Sequence, residues 1–190
     1  DTIIDQRGYA WFATQKGIDV WDGAAMRSYG PATGLAGNSF QALFEKDGEV
    51  WIGTDRGLLL YRRYQWLVPL PGISINAIIE DHPGGLLLGT DSGLVRFDGS
   101  QSYQWIINLG DEIIMTPVVT SLAWDFNGHL WVGTRYQGLF HYDGKQWEQF
   151  DTARGMPANY IRKIYTDRSG AVWISALTGQ DGGALMRYVP

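Results

Sequence analysis

Apolar residues occur along this chain in short runs, four to seven residues long, that either alternate with polar ones or stay apolar throughout. The runs are rich in Val, Ile, Trp and Tyr and are bounded by Gly, Asp and Asn. Alternation at a period of about two, punctuated by turn residues, marks strands, and no run has the length and roughly 3.6-residue period of an amphipathic helix. The pattern predicts an all-β protein.

The runs also repeat. Residues 8–14 (GYAWFAT), 48–54 (GEVWIGT), 84–90 (GGLLLGT), 128–134 (GHLWVGT) and 170–176 (GAVWISA) are copies of one phrase, and their first glycines stand 40, 36, 44 and 42 residues apart. The anchor of the phrase is Trp11, Trp51, Leu87, Trp131 or Trp173, and an acid precedes it by six residues every time: Asp5, Glu45, Asp81, Asp125 and Asp167. A glycine follows at Gly17, Gly57, Gly93, Gly138 and Gly179, then an aromatic at Trp21, Tyr61, Phe97 and Tyr142, often with Asp-Gly after it. A fourth segment is marked by Gln65-Trp66, Gln104-Trp105 and Gln146-Trp147, with Met26 in the first unit.

Four antiparallel segments, here called A to D, in about 40 residues and repeated, are the arithmetic of a β-propeller. Five units are visible, and the predicted four-stranded blades lie near residues 1–29, 38–68, 74–106, 118–150 and 159–190. Strand A lies nearest the axis and strand D at the rim. The strand-B Trp is predicted to fill the wedge between neighbouring sheets, with Trp51 and Trp131 as core residues. The glycines two residues on, Gly53, Gly89 and Gly133, are predicted where a Cβ would clash. The repeated acids are read as caps of the A-to-B turn. The longest interval between units, 107–118, contains Gly110 and Pro117 and is predicted to be an irregular loop.

The phrase acidic-x-x-Gly-x-x-Trp-(Ile/Val)-Gly-Thr-x-x-Gly-Leu, with Gly-(Leu/Met)-x-x-Asn linkers at residues 34–38 and 155–159, resembles the two-component regulator propeller repeat. The resemblance covers nearly the whole chain. Three units depart from it: Leu87 replaces the Trp, Ser175-Ala176 replace Gly-Thr, and the second A-to-B turn is one residue shorter. The resemblance implies the periplasmic or extracellular sensing part of a hybrid histidine kinase, with attached signalling domains or a second propeller as partners. It also implies a small-molecule ligand, the best-studied relatives responding to glycan fragments.

The ends carry an expectation of their own. Strand-C sequence at residues 185–188 is followed by no fifth strand D, so the five units form either a ring with one three-stranded blade or part of a larger ring. A start at Asp1, without Met or leader, reads as a processed chain or a cut piece.

Composition narrows the partners. A net charge of −5 and a pI near 5.1 disfavour nucleic acid, which needs a basic face. No apolar stretch is long enough to span a bilayer, and no direct membrane contact is expected. With no cysteine there is neither disulfide nor thiolate chemistry.

Candidate catalytic chemistry is sparse. The three histidines are His82 and His129, both flanking A-to-B turns, and His141 in strand C. A metal shared by His82 and His129 lacks a third ligand convergent in sequence, and His141 reads as a packing or surface residue. No nucleophile elbow, P-loop or dinucleotide fingerprint occurs among the glycines. The chain is therefore expected not to be an enzyme and to need no cofactor, catalytic residue or metal. The alternatives are a protein-interaction or dimerisation propeller and, behind it, a metal-assisted lyase on a propeller.

A ligand would bind where surface loops meet on a rigid frame. In a meander the D-to-A linkers and B-to-C turns share one end of every sheet. The candidate residues there are Asn38 and Asn159 from the linkers, with Lys16, Arg56, Arg135 and Tyr136 from the turns. Amide, guanidinium and phenol groups suit a polyhydroxylated or carboxylated ligand. The competing reading is that the asparagines cap their linkers and the cations are merely solvated. Trp124 is the one tryptophan outside the periodic positions.

Overall fold

The computed structural model describes residues 1–35, 37–82, 84–110, 113–114, 116–179 and 182–189. Its strands follow the repeat. The first sheet holds β1 (Thr2–Ile4), β2 (Ala10–Ala13), β3 (Ile18–Trp21) and β4 (Met26–Tyr29), and the second β5 (Phe40–Lys46), β6 (Glu49–Thr54), β7 (Gly57–Arg62) and β8 (Gln65–Pro71). The third holds β9 (Ile75–Glu80), β10 (Leu86–Thr90), β11 (Gly93–Phe97) and β12 (Ser102–Trp105). A two-stranded ribbon of β13 (Ile107–Asn108) and β14 (Ile113–Ile114) follows. The fourth sheet holds β15 (Val119–Trp124), β16 (Leu130–Thr134), β17 (Leu139–Tyr142) and β18 (Trp147–Phe150), and the fifth β19 (Tyr160–Thr166), β20 (Val172–Leu177) and β21 (Gly183–Tyr188). Each sheet is a meander of sequence neighbours, which is the blade of a β-propeller. The helix among the described residues amounts to single 3-10 turns at Pro31–Thr33 and Thr152–Arg154.

Two compact units divide the chain, one of residues 1–88 and 96–102, the other of 89–95 and 103–190. The core of the first gathers Trp11, Ile18, Val20, Phe40, Leu43, Val50, Ile52 and Leu59. That of the second gathers Trp131, Leu139, Ile161, Ile164, Val172 and Ile174. Neighbouring sheets share each core, so the apolar face of one blade is covered by the next.

The recurrent phrase is explained residue by residue. Asp5 Oδ1 accepts the amides of Arg7 and Tyr9, capping the A-to-B turn, while its Oδ2 accepts the indole N–H of Trp11 at 3.0 Å. Asp125 does the same for the amides of Asn127 and His129 and the Trp131 indole, and Asp167 for Ser169, Ala171 and Trp173. One carboxylate thus satisfies a turn and a buried donor together, as burial of an indole N–H requires. The Thr that ends the phrase closes the B-to-C turn: the hydroxyls of Thr14, Thr54, Thr90 and Thr134 each donate to the carbonyl of the glycine that opens strand C. The C-to-D turns are held by Asp22, Asp98 and Asp143, whose Oδ1 atoms accept the amides two and three residues on.

The glycine inside strand B marks a close approach of sheets. A Cβ on Gly53 would lie 2.6 Å from the Ile75 carbonyl oxygen, and one on Gly133 would lie 2.6 Å from Ile161 Cγ2. The anchors Trp11 and Trp131 are 1 % and 2 % exposed, with Trp11 against Tyr61 and Trp66 of the second sheet and Trp131 against Tyr188 of the fifth.

Two expectations are corrected. The interval 107–118 is not wholly a loop, because Ile107 pairs with Ile114 and Asn108 with Ile113 in the short ribbon; residues 111, 112 and 115 lie outside the described set. Trp51 is only half-buried. Its acid is Glu45, whose longer side chain accepts the Gly48 amide of a tight Asp47-Gly48 turn, both residues having positive φ. Trp51 instead meets Phe97 edge-on, beside a cleft of about 170 Å³.

Candidate functional site

The six sequence candidates lie at the B-to-C end of their sheets, and linkers hydrogen-bond to turns there. In the first unit, the linker amides of Asn38 and Ser39 donate to Asp55 Oδ1 at 2.8 and 3.2 Å, and the Phe40 amide donates to the Thr14 carbonyl. One linker is therefore tied to the turn carrying Lys16 and to the turn carrying Arg56. The side chains of Lys16, Asn38 and Arg56 are exposed. Burial pushes the Asp55 carboxyl up, but the two amides and the nearby Arg56 charge outweigh it and leave its pKa below the usual value. Beside Lys16 opens a cleft of about 400 Å³ lined by Thr14, Asp19, Ser28, Tyr29 and Pro31.

In the second compact unit the Arg135 amide donates to the Val118 carbonyl and the Gly138 amide to the Asn159 carbonyl, again joining turn to linker. The Arg135 guanidinium stands 5.9 Å from the centroid of Tyr160, and Tyr136 beside it is 69 % exposed. Burial opposes the Arg135 charge, but contacts with Tyr136, Tyr160 and Asp91 raise its pKa nonetheless. Asn159 is committed locally, its Oδ1 accepting the Thr152 amide at 2.9 Å. Its side chain thus follows the capping reading.

Sequence reasoning missed Asp55 and Tyr160. The signal for the first was present, since an acid directly follows the phrase threonine in Thr54-Asp55 and again in Thr90-Asp91. Tyr160 follows the linker Asn159 and carries no repeat signature.

The opposite end of the fourth sheet holds a different cluster. In register, Trp131 faces His141 across β16 and β17. His129 lies two residues before Trp131, on the same side of the pleat. The two imidazoles therefore meet: His141 Nε2 is 3.2 Å from His129 Nδ1, and the rings lie 5.1 Å apart. Asp125 Oδ2 lies 3.7 Å from His129 Nδ1. Burial, and then the His129 charge, lower the pKa of His141. His129 thus meets His141 of its own sheet and an acid six residues before the anchor.

The fold defined by these sheets is the β-propeller. Residues 34–56 and 114–136 match the family model described as two component regulator propeller. Comparison with the curated proteins gives no match. Among solved structures, the extracellular domain of BT4673 from B. thetaiotaomicron, assigned to the hybrid two component systems, is similar at 23 % identity with a TM-score of 0.77, over 100 % of this chain and 27 % of that one. The extracellular domain of BT3049 from the same organism is similar at 21 % identity with a TM-score of 0.74, over 100 % of this chain and 28 % of that one. Virginiamycin B lyase from Staphylococcus aureus is similar at 15 % identity with a TM-score of 0.69, over 98 % and 68 % of the two chains. The chain thus spans about a quarter of the length of the two extracellular domains. No helix among the described residues is long and apolar enough to cross a membrane.

Proposed function

We propose that this chain is part of the extracytoplasmic ligand-sensing propeller of a two-component signalling protein, a binding module and not an enzyme. The observation that carries the reading is the match of two separate segments to the two component regulator propeller. The ligand is a small polyhydroxylated or carboxylated molecule such as a glycan fragment, held at the B-to-C end. Each compact unit offers its own set of groups: Arg135, Tyr136 and Tyr160 offer bidentate hydrogen bonding and aromatic faces in one, and in the other Lys16 borders the cleft while Arg56 and Asn38 are exposed donors at the same end of their own sheet. Attached signalling domains or a second propeller receive the signal.

The test is a thermal-shift screen against neutral and acidic oligosaccharides. A ligand at a hundredfold excess over its dissociation constant stabilises the fold by about 2.7 kcal/mol. Arg135→Ala and Tyr136→Ala in one compact unit, or Arg56→Ala in the other, are expected to weaken a hit without unfolding the protein. A hit whose affinity is unchanged in all three refutes the placement. A chain silent to the whole panel that captures a second propeller instead favours the protein-interaction reading.

A further inference from the structure

We propose that Asp125, His129 and His141 form a binding site for a divalent transition-metal ion, with zinc the best match. The inference stands apart from the sensing reading, because His129 and Arg135 sit at opposite ends of β16, about 20 Å apart along an extended strand.

Three lines of geometry support it. First, the donor atoms converge: one atom from each residue lies within 4.8 Å of the other two. Zinc bonds of about 2.0–2.2 Å at a tetrahedral angle set neighbouring ligand atoms roughly 3.3–3.5 Å apart. The His129 Nδ1 to His141 Nε2 distance of 3.2 Å and the His129 Nδ1 to Asp125 Oδ2 distance of 3.7 Å sit close to that spacing. The third edge, between Asp125 and His141, lies within 4.8 Å, and a small rotation of the His141 side chain closes it, since the Asp125 carboxylate is held by its own hydrogen bonds.

Second, the outer shell is built. Asp125 Oδ1 is fixed by the amides of Asn127 and His129, and Oδ2 accepts the Trp131 indole N–H at 3.1 Å. The Trp131 ring in turn lies 4.2 Å from the His141 ring, centroid to centroid. Partners of this kind hold ligands in position in metal centres. Glu148, opposite His141 in register, and Asp143 add negative charge around the pair.

Third, the equivalent place in the first and third sheets holds a cation. Asp5 Oδ2 takes the Arg7 guanidinium beside the Trp11 indole, and Asp81 Oδ2 takes Arg96. In the fourth sheet the same oxygen faces two imidazoles instead. Imidazole with carboxylate suits zinc, copper or nickel better than the hard cations, which prefer oxygen throughout. Without metal the two rings share one N–H between them. On binding, the donor ring takes its other tautomer, so that both lone pairs point to the ion and no net proton is lost. The ion then ties the A-to-B turn to β17, with its open side available to water.

The experiment uses the untagged full chain, stripped with a chelator, and zinc chloride as the probe. Isothermal titration is expected to give one zinc per chain in the micromolar range, with a rise in thermal midpoint. Loss of an outer-shell partner costs about 10–100-fold in affinity, so His129→Ala and His141→Ala, each lacking a ligand, are expected to weaken zinc by at least that much. His82→Ala, which removes the only other histidine, leaves it unchanged. Circular dichroism checks each variant. If His141→Ala does not fold, His129→Ala at the half-exposed turn decides alone. Absence of saturable micromolar binding in the parent chain overturns the proposal. So does binding kept in His129→Ala or lost in His82→Ala.

Discussion

Arg96 Nε stands 3.1 Å from Asp81 Oδ2, so that the charge of a cation from β11 stands where the anchor indole donates a hydrogen bond to Asp5, Asp125 and Asp167. The third unit carries Leu87 where its sisters carry Trp, and leucine has no donor to offer the buried acid. The carboxylate would be left as an uncompensated charge, because Asp81 is 4 % exposed. Its other oxygen, Oδ1, has no hydrogen-bond partner. In the sister turns that oxygen accepts amides two and four residues on, and the residue two after Asp81 is Pro83, which has no N–H.

Arg96→Met is therefore expected to destabilise the fold by about 1–3 kcal/mol, less than for a fully buried pair because the Arg96 side chain is 40 % exposed. Adding Asp81→Asn should recover part of the loss, since the orphaned charge goes with it. Chemical denaturation of the two single variants and the double variant tests this, and a neutral Arg96→Met would show that Asp81 needs no counter-charge.

The buried Trp11 and the half-buried Trp51, both of strand B, set up a second comparison. Trp11→Ala empties a site closed by Tyr61 and Trp66 and is expected to cost about 3–5 kcal/mol. Trp51→Ala removes a ring that already borders a cleft and lacks an aspartate at the capping position, so it should cost clearly less. Equal losses in denaturant midpoint at constant slope would contradict the difference in burial.

Sheet number, strand order and the role of the acids were legible because blades must stack. Stacking repeats the same volume and the same turn, and therefore the same Trp, Gly and Asp. What did not repeat was not legible. The replacement of an indole by Arg96 crosses from strand B to strand C, so no fixed spacing announces it. The His129 to His141 contact depends on a diagonal pair across β16 and β17, and it becomes visible only once Trp131 is known to face His141. Asn159 shows the other limit: a residue at the expected end of the sheet whose side-chain oxygen also accepts the Thr152 amide, a local bond that no spacing announces.

The glycines of the phrase differ in why they are needed, and substitution by alanine separates the reasons. Gly53→Ala drives a Cβ to 2.6 Å from the Ile75 backbone carbonyl, which can yield only if two sheets part. Gly133→Ala meets the Ile161 Cγ2 methyl at the same distance and the Ile161 Cβ at 3.0 Å, of which a rotamer change relieves only the first. Gly128→Ala meets nothing within 4 Å but takes a φ of +77° that alanine disfavours. The expected order of cost is Gly53, then Gly133, each in the range of about 1–3 kcal/mol or more for overpacking, with Gly128 near the roughly 1–2 kcal/mol of a left-handed residue. Thermal and chemical denaturation give the ranking, and a Gly53→Ala variant as stable as Gly128→Ala would show that the sheets do not press together there.

Acid should loosen the A-to-B turns, with Asp167 the clearest reporter. Its carboxylate accepts the Ser169 hydroxyl, the Trp173 indole and the amides of Ser169 and Ala171, and these bonds hold its pKa at about 2 against an ordinary 3.8. Asp5 is shifted the same way: burial pushes it up, but the bonds from Arg7, Trp11 and Tyr9 prevail. A carboxyl whose folded pKa is depressed binds protons more readily in the unfolded chain. Its contribution is thus complete above about pH 4 and drains away as pH falls toward about 2. Ser169→Ala removes the hydroxyl donor and should move the Asp167 midpoint, followed by the NMR shift of its carboxyl carbon, back toward the ordinary value. Asp167→Asn should be less stable than the parent at pH 5, and the gap should narrow on titration toward the folded pKa. A midpoint at or above 3.8 in the parent chain, or a gap that does not change with pH, would mean that the turn does not favour the ionised acid.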